Sequence, residues 1–241
     1  MPSHKTLLHC HSNVDPCDKF ITYSTKELID EAAKRKVSIM SLTSHKKVIF
    51  NDELKNYAAS KGILLLPGVE SQVTGSDVGI INAHADADHI KTLDDLRNYR
   101  KNHPESFIYA PHPYFPGPCL KNKLDENPEL FDGIELSHFY HKYHNYNLKA
   151  EKFAEKHNLP FFATPDCHFL TNVDIAYTTL HLEQSIEELL KHKDPASVVI
   201  SALKNKQFEN HANPLSLFKI SKTLLCHILW GNIVNTFKKN K

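Results

Sequence analysis

Histidine is over-represented in this chain, at 17 of 241 residues, and many of the histidines fall beside acids at the ends of apolar runs. His9 and His11 close the run KTLLHCH, with Asp15 and Asp18 just beyond. His45 ends VSIMSLTSH, Glu70 ends GILLLPGVE, and His84 follows VGIINA. His112 ends SFIYAPHP, His138 ends GIELSH, and Asp166 and His168 end LPFFATPDCH. Imidazole and carboxylate are the ligands that divalent cations take from proteins. In a strand, residues two apart share a face, so His9 pairs with His11 and Asp166 with His168. An isolated HxH is equally well two half-exposed histidines, a glutamate after Pro-Gly can merely cap a turn, and His45 can be a satisfied polar residue under a loop. Ligands at the ends of successive strands are a different matter, because scattered surface histidines have no reason to fall there.

About nine N/O ligands exceed what one tetrahedral ion takes, and suffice for two or three ions if Glu70 bridges a pair. Mixed imidazole and carboxylate ligation suits zinc, manganese or iron better than magnesium. His4, His89, His103, His157, His181, His192, His211 and His227 lie in helices, loops or the tail, and read as solvated or structural.

The elements that must position these groups alternate along the chain. Residues 24–36 read as a helix opened by a Ser24/Glu27 capping box, with Leu28, Ile29 and Ala32 at helical spacing. A second helix is expected over 51–61, stopped by Gly62. Residues 72–83 read as two short strands joined at Gly75-Ser76, and Thr92 with Asp95 opens another helix. A further helix separates 133–138 from 159–168. Strands apolar on both faces argue for parallel pairing beneath helices. Six or seven strand–helix units in about 170 residues favour an α/β barrel over a doubly wound sheet, and the C-terminal rim of a barrel gathers strand ends into one bowl. After Leu170 the pattern becomes helical, with starts at Ser185/Glu188 and Asp194-Pro195. The expected domains are 1–212, carrying the site, and a basic amphipathic C-terminal helix over 213–241, docked on the domain or resting on an anionic membrane surface.

Composition excludes several classes. Hydrophobic residues at 41% and charged residues at 24% are those of a globular protein. A net charge of +1, with arginine only at 35, 97 and 100, offers no field for nucleic acid. Five scattered cysteines without a CxxC pair do not make a disulfide framework. With no apolar run of bilayer-spanning length and no signal peptide, a cytoplasmic location is expected.

LHCH, LTSH, PGVE, APHP and TPDCH, in this order, resemble the motifs of the PHP (polymerase and histidinol phosphatase) family of metal-dependent phosphoesterases. Ser44 stands where an aspartate is common in the second motif. The resemblance runs from residue 5 to about 170. It implies a distorted (β/α)7 barrel of the PHP type with C-terminal helices and a site for two or three divalent ions, Zn, Mn or Fe. It also implies that His9, His11, Glu70 and Asp166 hold one ion, and that Glu70, His112 and a further histidine hold a second. An acid or histidine after HxH, with His45 and His168, holds the third. The family's ligand after HxH falls at Pro16 or Cys17, which leaves Asp15, Cys17 and Asp18 open. Between Glu70 and His112, His84 is favoured over Asp77.

The expected activity is hydrolysis of a phosphate mono- or diester by a metal-activated hydroxide, on a phosphorylated small molecule or (oligo)nucleotide, without stable nucleic-acid binding. Lys46, Lys47, His138, His141 and Lys142 fall on rim loops, where His138 and Lys46 are the candidates for gripping phosphate or protonating the leaving group. Two alternatives remain: another barrel metallohydrolase of amidohydrolase type, and a metal-stabilised, non-catalytic binding domain with weak membrane contact through its tail.

Overall fold

A computed structural model describes residues 1–216. The chain opens with β1 (Ser3–Leu7), α1 (Thr25–Lys34), β2 (Ile39–Leu42), α2 (Asp52–Ser60), β3 (Leu64–Val73) and β4 (Ser76–Ile81). It continues through α3 (Leu93–Asn102), β5 (Phe107–Ala110), a short α4 (Asn122–Glu126), β6 (Gly133–Ser137), α5 (Asn147–Lys156) and β7 (Phe161–Thr164). It closes with β8 (Ala176–His181), α6 (Ile186–Lys191), α7 (Pro195–Lys204) and β9 (Phe208–Ala212). Among the described residues, no helix is long and apolar enough to cross a membrane. Of the helix expected over 213–241, residues 217–241 lie outside the described residues, and 213–216 form no helical turn.

Local chemistry starts the helices as the sequence implies. Ser24, Thr92 and Ser185 each accept from the backbone N–H three residues on, and Glu27, Asp95 and Glu188 reciprocate at the cap. Asn51 caps α2, and Asp194 caps α7 ahead of its first-turn proline. The helices bury one face each: Leu28, Ile29 and Ala32 of α1 pack beneath Met40 and Leu42, whereas Ala150, Phe153 and Ala154 of α5 join Ile108 and Ile134.

The strands form one mixed sheet in the order β7-β6-β5-β4-β3-β2-β1-β8-β9. β1, β2 and β3 are parallel, as are β5, β6 and β7. The expected all-parallel alternation fails at β4, which runs antiparallel to both neighbours. Residues 64–73 are one long strand, and Thr74 (φ 47°) and Gly75 (φ +76°) turn it tightly into β4. β8 and β9, antiparallel to their neighbours, occupy a region that reads as helices alone. β8 buries only alternate residues, so it lacks the continuous apolar run by which the other strands were recognised.

The sheet curls until its two ends nearly meet. Beyond β1 and β7, Cys10 bridges Cys167 in parallel register, with His11 N donating to Cys167 O at 3.1 Å and Cys167 N to His9 O at 3.2 Å. Towards the other end of β7, side chains replace the ladder. The amide of Asn210 bonds Ala163 N at 2.7 Å and Phe161 O at 2.7 Å, and Thr178 Oγ1 donates to Ala163 O at 2.9 Å. The barrel is therefore nearly closed, and its closing seam brings the HCH and DCH motifs side by side. One glycine permits a wall of the interior. A Cβ on Gly79 would enter the ring of Tyr109, its cross-strand partner. With no side chain there, Tyr109 lies across β4 and sets its edge against His9, ring centroids 6.0 Å apart.

Candidate metal centre

Strand register assembles the site. Beyond β2 and β3, His45 and Glu70 form a parallel bridge, with Lys46 N donating to Glu70 O at 2.8 Å. Paired residues point to the same face, so His45 Nε2 comes within 3.1 Å of Glu70 Oε2. That same oxygen lies 3.2 Å from His9 Nε2 and 3.4 Å from His11 Nε2. The other carboxylate oxygen, Oε1, faces His112 Nε2 at 3.4 Å. Asp166 Oδ1 faces the Nε2 atoms of His9 and His11 at 3.4 Å each and His168 Nδ1 at 3.3 Å.

Three strand ends here leave ordinary backbone space. His112 (φ 30°), Asp166 (φ 41°) and Lys46 (φ 59°) all have positive φ. Such conformations are unfavourable for residues bearing a Cβ, and they persist where surrounding structure holds them. At His112 the hold is visible, because its backbone N–H donates to Glu135 Oε2 at 2.6 Å.

Glu135 is the functional residue that sequence reasoning missed. Fully buried on β6, it accepts from His9 Nδ1 at 3.0 Å, from His112 N, and from the Thr164 hydroxyl. One carboxylate thus ties together residues following or within β1, β5, β6 and β7, and turns the Nε2 lone pair of His9 into the bowl. The available signal was a glutamate inside the apolar strand GIELS, since a charge is buried only with partners.

Asp15 does the same on the opposite wall. Its Oδ2 lies 3.0 Å from Nδ1 of both His11 and His45, while Oδ1 accepts from the backbone N–H of Cys17 and Asp18. Asp18 Oδ2 lies 2.8 Å from His168 Nε2 and 3.4 Å from His45 Nδ1. Both acids reach the histidines. Cys17 is exposed, yet partial desolvation of its thiol and the Asp15 and Asp18 charges outweigh Lys46 and raise its pKa, which disfavours the thiolate.

His84 requires a correction. Because β4 runs against β3, the residues after β4 emerge at the end of the barrel away from Glu70; Ala83 N bonds Pro67 O, not the site end of β3. His84 is exposed there, 2.6 Å from Glu105 and stacked on His103 with centroids 4.1 Å apart. The start of β4 is what reaches the site. Asp77 groups with Glu70 and His112, all three presenting ligand atoms within 4.8 Å of one another. The other sets at this distance in the bowl are His9, His11 and Glu70; His11, Asp166 and His168; and His11, Asp15, Asp18 and His45, while His84 groups apart from them with His103 and Glu105.

Two further candidates lie beside these sets. His138 is buried between the bowl and a neighbouring pocket, and its Nδ1 has no hydrogen-bond partner. Lys46 is exposed on the rim.

The electrostatics are those of a cation site. Burial depresses the basicity of His9, but Glu70, Asp166 and Glu135 outweigh it, and its pKa rises well above the ordinary 6.5. His11, His45, His112 and His168 are raised in the same way, against desolvation, by facing carboxylates or hydrogen-bond partners. Desolvation opposes ionisation of Glu70 and Asp166, yet the imidazoles hold both well below the usual carboxylate range. Burial and the Glu70 charge push Asp77 up to about 7, whereas burial lowers His138 to about 4.

The residues present fit divalent cations. His11 Nε2 and Asp166 Oδ1, 3.4 Å apart, are both buried without a hydrogen-bond partner, and so is Glu70 Oε1 on the side of His112. Orphaned buried lone pairs are costly, and cations held in the bowl would satisfy them.

Comparisons with known proteins agree with this geometry. A two-domain protein from Bacteroides vulgatus, described as containing a predicted PHP-like metal-dependent phosphoesterase, superposes with a TM-score of 0.62 at 18% identity. The match covers 88% of this chain and 65% of that one, so the chain spans about two thirds of that protein's length. The family model described as PHP-associated matches residues 144–192. The chain has the PHP fold. PsfC from Pseudomonas syringae shares it, with a TM-score of 0.60 at 16% identity over 97% of this chain and 100% of PsfC. An amidohydrolase from Chromobacterium violaceum, solved with bound sulfate and no metal, matches at a TM-score of 0.52 and 18% identity, over 68% of this chain and 87% of its own. No curated protein matches the sequence. Within the PHP fold, the bowl lies at the end of the barrel where β1, β2, β3 and β7 deliver their terminal histidines and acids.

Proposed function

We propose that this PHP-fold chain is a metal-dependent phosphoesterase that hydrolyses a phosphate mono- or diester at a site for two or three divalent ions. The observation that carries the reading is the set of buried, unpartnered lone pairs in the bowl, His11 Nε2 facing Asp166 Oδ1 at 3.4 Å and Glu70 Oε1 beside His112. When bound, divalent cations supply a water acidified towards neutrality and neutralise charge on phosphoryl oxygens.

The chain's own residues do the rest. Glu135 and Asp15 fix the tautomers of His9, His11 and His45, so that each presents an Nε2 lone pair to the bowl. His138, held neutral at pH 7 by burial, offers an imidazole beside the reacting centre without adding positive charge. Lys46, exposed on the rim immediately after His45, supplies a cation for an incoming phosphate. Water attacks phosphorus, the ester P–O bond breaks, and the proton lost by water balances the one gained by the departing alcohol.

An amidohydrolase-type reaction on the same frame is the rival, supported by the fold of the Chromobacterium violaceum protein. Amidohydrolase-like sites usually include a lysine ligand at a strand end, whereas here the lysine that follows His45, Lys46, is exposed on the rim. The deciding experiment strips the purified chain of metal, restores Mn, Zn or Fe, and assays phosphoesters beside amides. Metal-dependent release of inorganic phosphate from a monoester or of alcohol from a diester, without amide cleavage, is the expected result. Metal loading with neither activity would leave a non-catalytic metal domain.

A further inference from the structure

Beside the bowl lies a pocket of about 280 Å³, bordered on the site side by His112, Asp166 and His168. Its remaining walls are mostly carbon. Phe115, Phe139 and Phe169 line it with Pro116 and Pro118, and among the described residues neither lysine nor arginine does. The aromatic rings are braced from behind. Phe115 packs on Tyr146 at 5.0 Å and on Phe139 at 6.0 Å, while Phe169 packs on Phe20 at 6.1 Å, itself stacked on His168. The buried Nδ1 of His138 has no hydrogen-bond partner and lies where this pocket meets the bowl.

A phosphoester placed with its phosphoryl group over the carboxylates and imidazoles must send its alcohol somewhere. The pocket borders that position, and its volume lies at the small end for ligand sites, suited to a ring rather than a chain of sugars. A second anionic group would meet no described cation there and would lie near Asp166. We infer that the pocket receives the leaving alcohol and selects a neutral aromatic one, an inference that rests on the phosphoesterase reading above. The aromatic walls supply apolar burial and edge-to-face contact, and the unpartnered His138 imidazole offers a polar group to the bridging oxygen.

Benzyl phosphate and ethyl phosphate test this, because their alcohols differ little in acidity and intrinsic reactivity therefore contributes little. Burying one phenyl ring predicts a kcat/KM ratio of about thirtyfold in favour of the benzyl ester. Phe139→Ala and Phe169→Ala should each shrink that ratio by about fivefold. A 4-carboxybenzyl ester should lose the preference. The non-hydrolysable benzylphosphonate and ethylphosphonate, titrated calorimetrically into the metal-loaded chain, separate the two claims. If neither ester is cleaved but benzylphosphonate still binds more tightly, hydrolysis fails and the pocket stands. Equal affinities of the two phosphonates, or equal kcat/KM for the two esters, would overturn the pocket assignment.

Discussion

Oε1 of Glu135 lies 3.0 Å from Nδ1 of His9, and both side chains are sealed from solvent. This contact decides which nitrogen of His9 faces Glu70 and Asp166, because a carboxylate accepting from Nδ1–H leaves Nε2 with its lone pair. Glu135→Gln retains the size of the side chain and removes the charge. Metal affinity should fall about 10–100-fold, as for other groups that orient ligands, while the circular dichroism spectrum is unchanged. Isothermal titration with Mn or Zn reads this directly, and an unchanged dissociation constant would show that Glu135 only fills space.

Glu70 presents its two oxygens to different histidines, Oε2 to His9, His11 and His45 and Oε1 to His112. On the proposed reading this carboxylate would bridge two ions. Elemental analysis of Glu70→Ala should therefore show about two equivalents fewer than wild type, and His112→Ala about one fewer. Equal losses in the two variants would count against bridging.

Much of this centre was legible in the chain, and the illegible part has a topological cause. HxH, His45, Glu70, His112 and DxH announce themselves because each ends an apolar run, and parallel strands carry their ends to one rim. The rule breaks at β4. Periodicity reports which face of a strand is buried but not which way the strand runs, so the sequence alone points to His84 where the reversed strand brings Asp77. The turn through Thr74 and Gly75 is where the reversal is written, since both residues adopt the positive φ of a two-residue hairpin. Glu135 escaped notice for another reason. It lies inside its strand rather than at the end, where an apolar run gives no sign of a ligand.

The reversal yields a paired prediction. Asp77 is buried beside Glu70 and His112, and its pKa is pushed up to about 7 by burial and by the Glu70 charge. A carboxyl raised above its unfolded value contributes less stability as pH climbs past the unfolded pKa. Asp77→Asn should accordingly stabilise the metal-free chain at neutral pH by about 1–3 kcal/mol while weakening metal binding. His84→Ala, exposed at the opposite end, should alter neither property. Denaturant unfolding of the apo variants and metal titration decide the pair. A fall in metal content caused by His84→Ala would restore His84 to the site.

Gly79 couples packing to the metal centre. Any Cβ there enters the Tyr109 ring, whose edge rests against His9. Gly79→Ala should cost about 1–3 kcal/mol through overpacking. At this chain length that lowers the melting temperature by roughly 3–10 °C. Metal affinity should drop as well, because Tyr109 can yield only by disturbing His9. Adding Tyr109→Leu should recover part of the lost stability but not the affinity. Recovery of both would mean that Tyr109 does not position His9.

Protons and cations compete for the same nitrogens, and the direction of the competition follows from the shifts. His9, His11, His45, His112 and His168 have raised pKa values in the folded metal-free chain. Their contribution to stability is fully present below the ordinary histidine value and fades as pH rises through the folded values. Glu70 and Asp166, held low, contribute above the ordinary carboxylate range and lose that contribution as pH falls through their folded values. The metal-free chain should therefore be most stable in mild acid and weaken towards alkaline pH, with Asp77 adding to the same slope. Cations replace the protons and remove that slope. Comparing melting temperatures of dialysed and Mn-loaded protein at about pH 5.5 and about pH 8.5 should show a metal-induced gain that grows with pH. A gain equal at both values would mean that bound cations displace no protons from these imidazoles, and the assignment of the bowl as their binding site would fail.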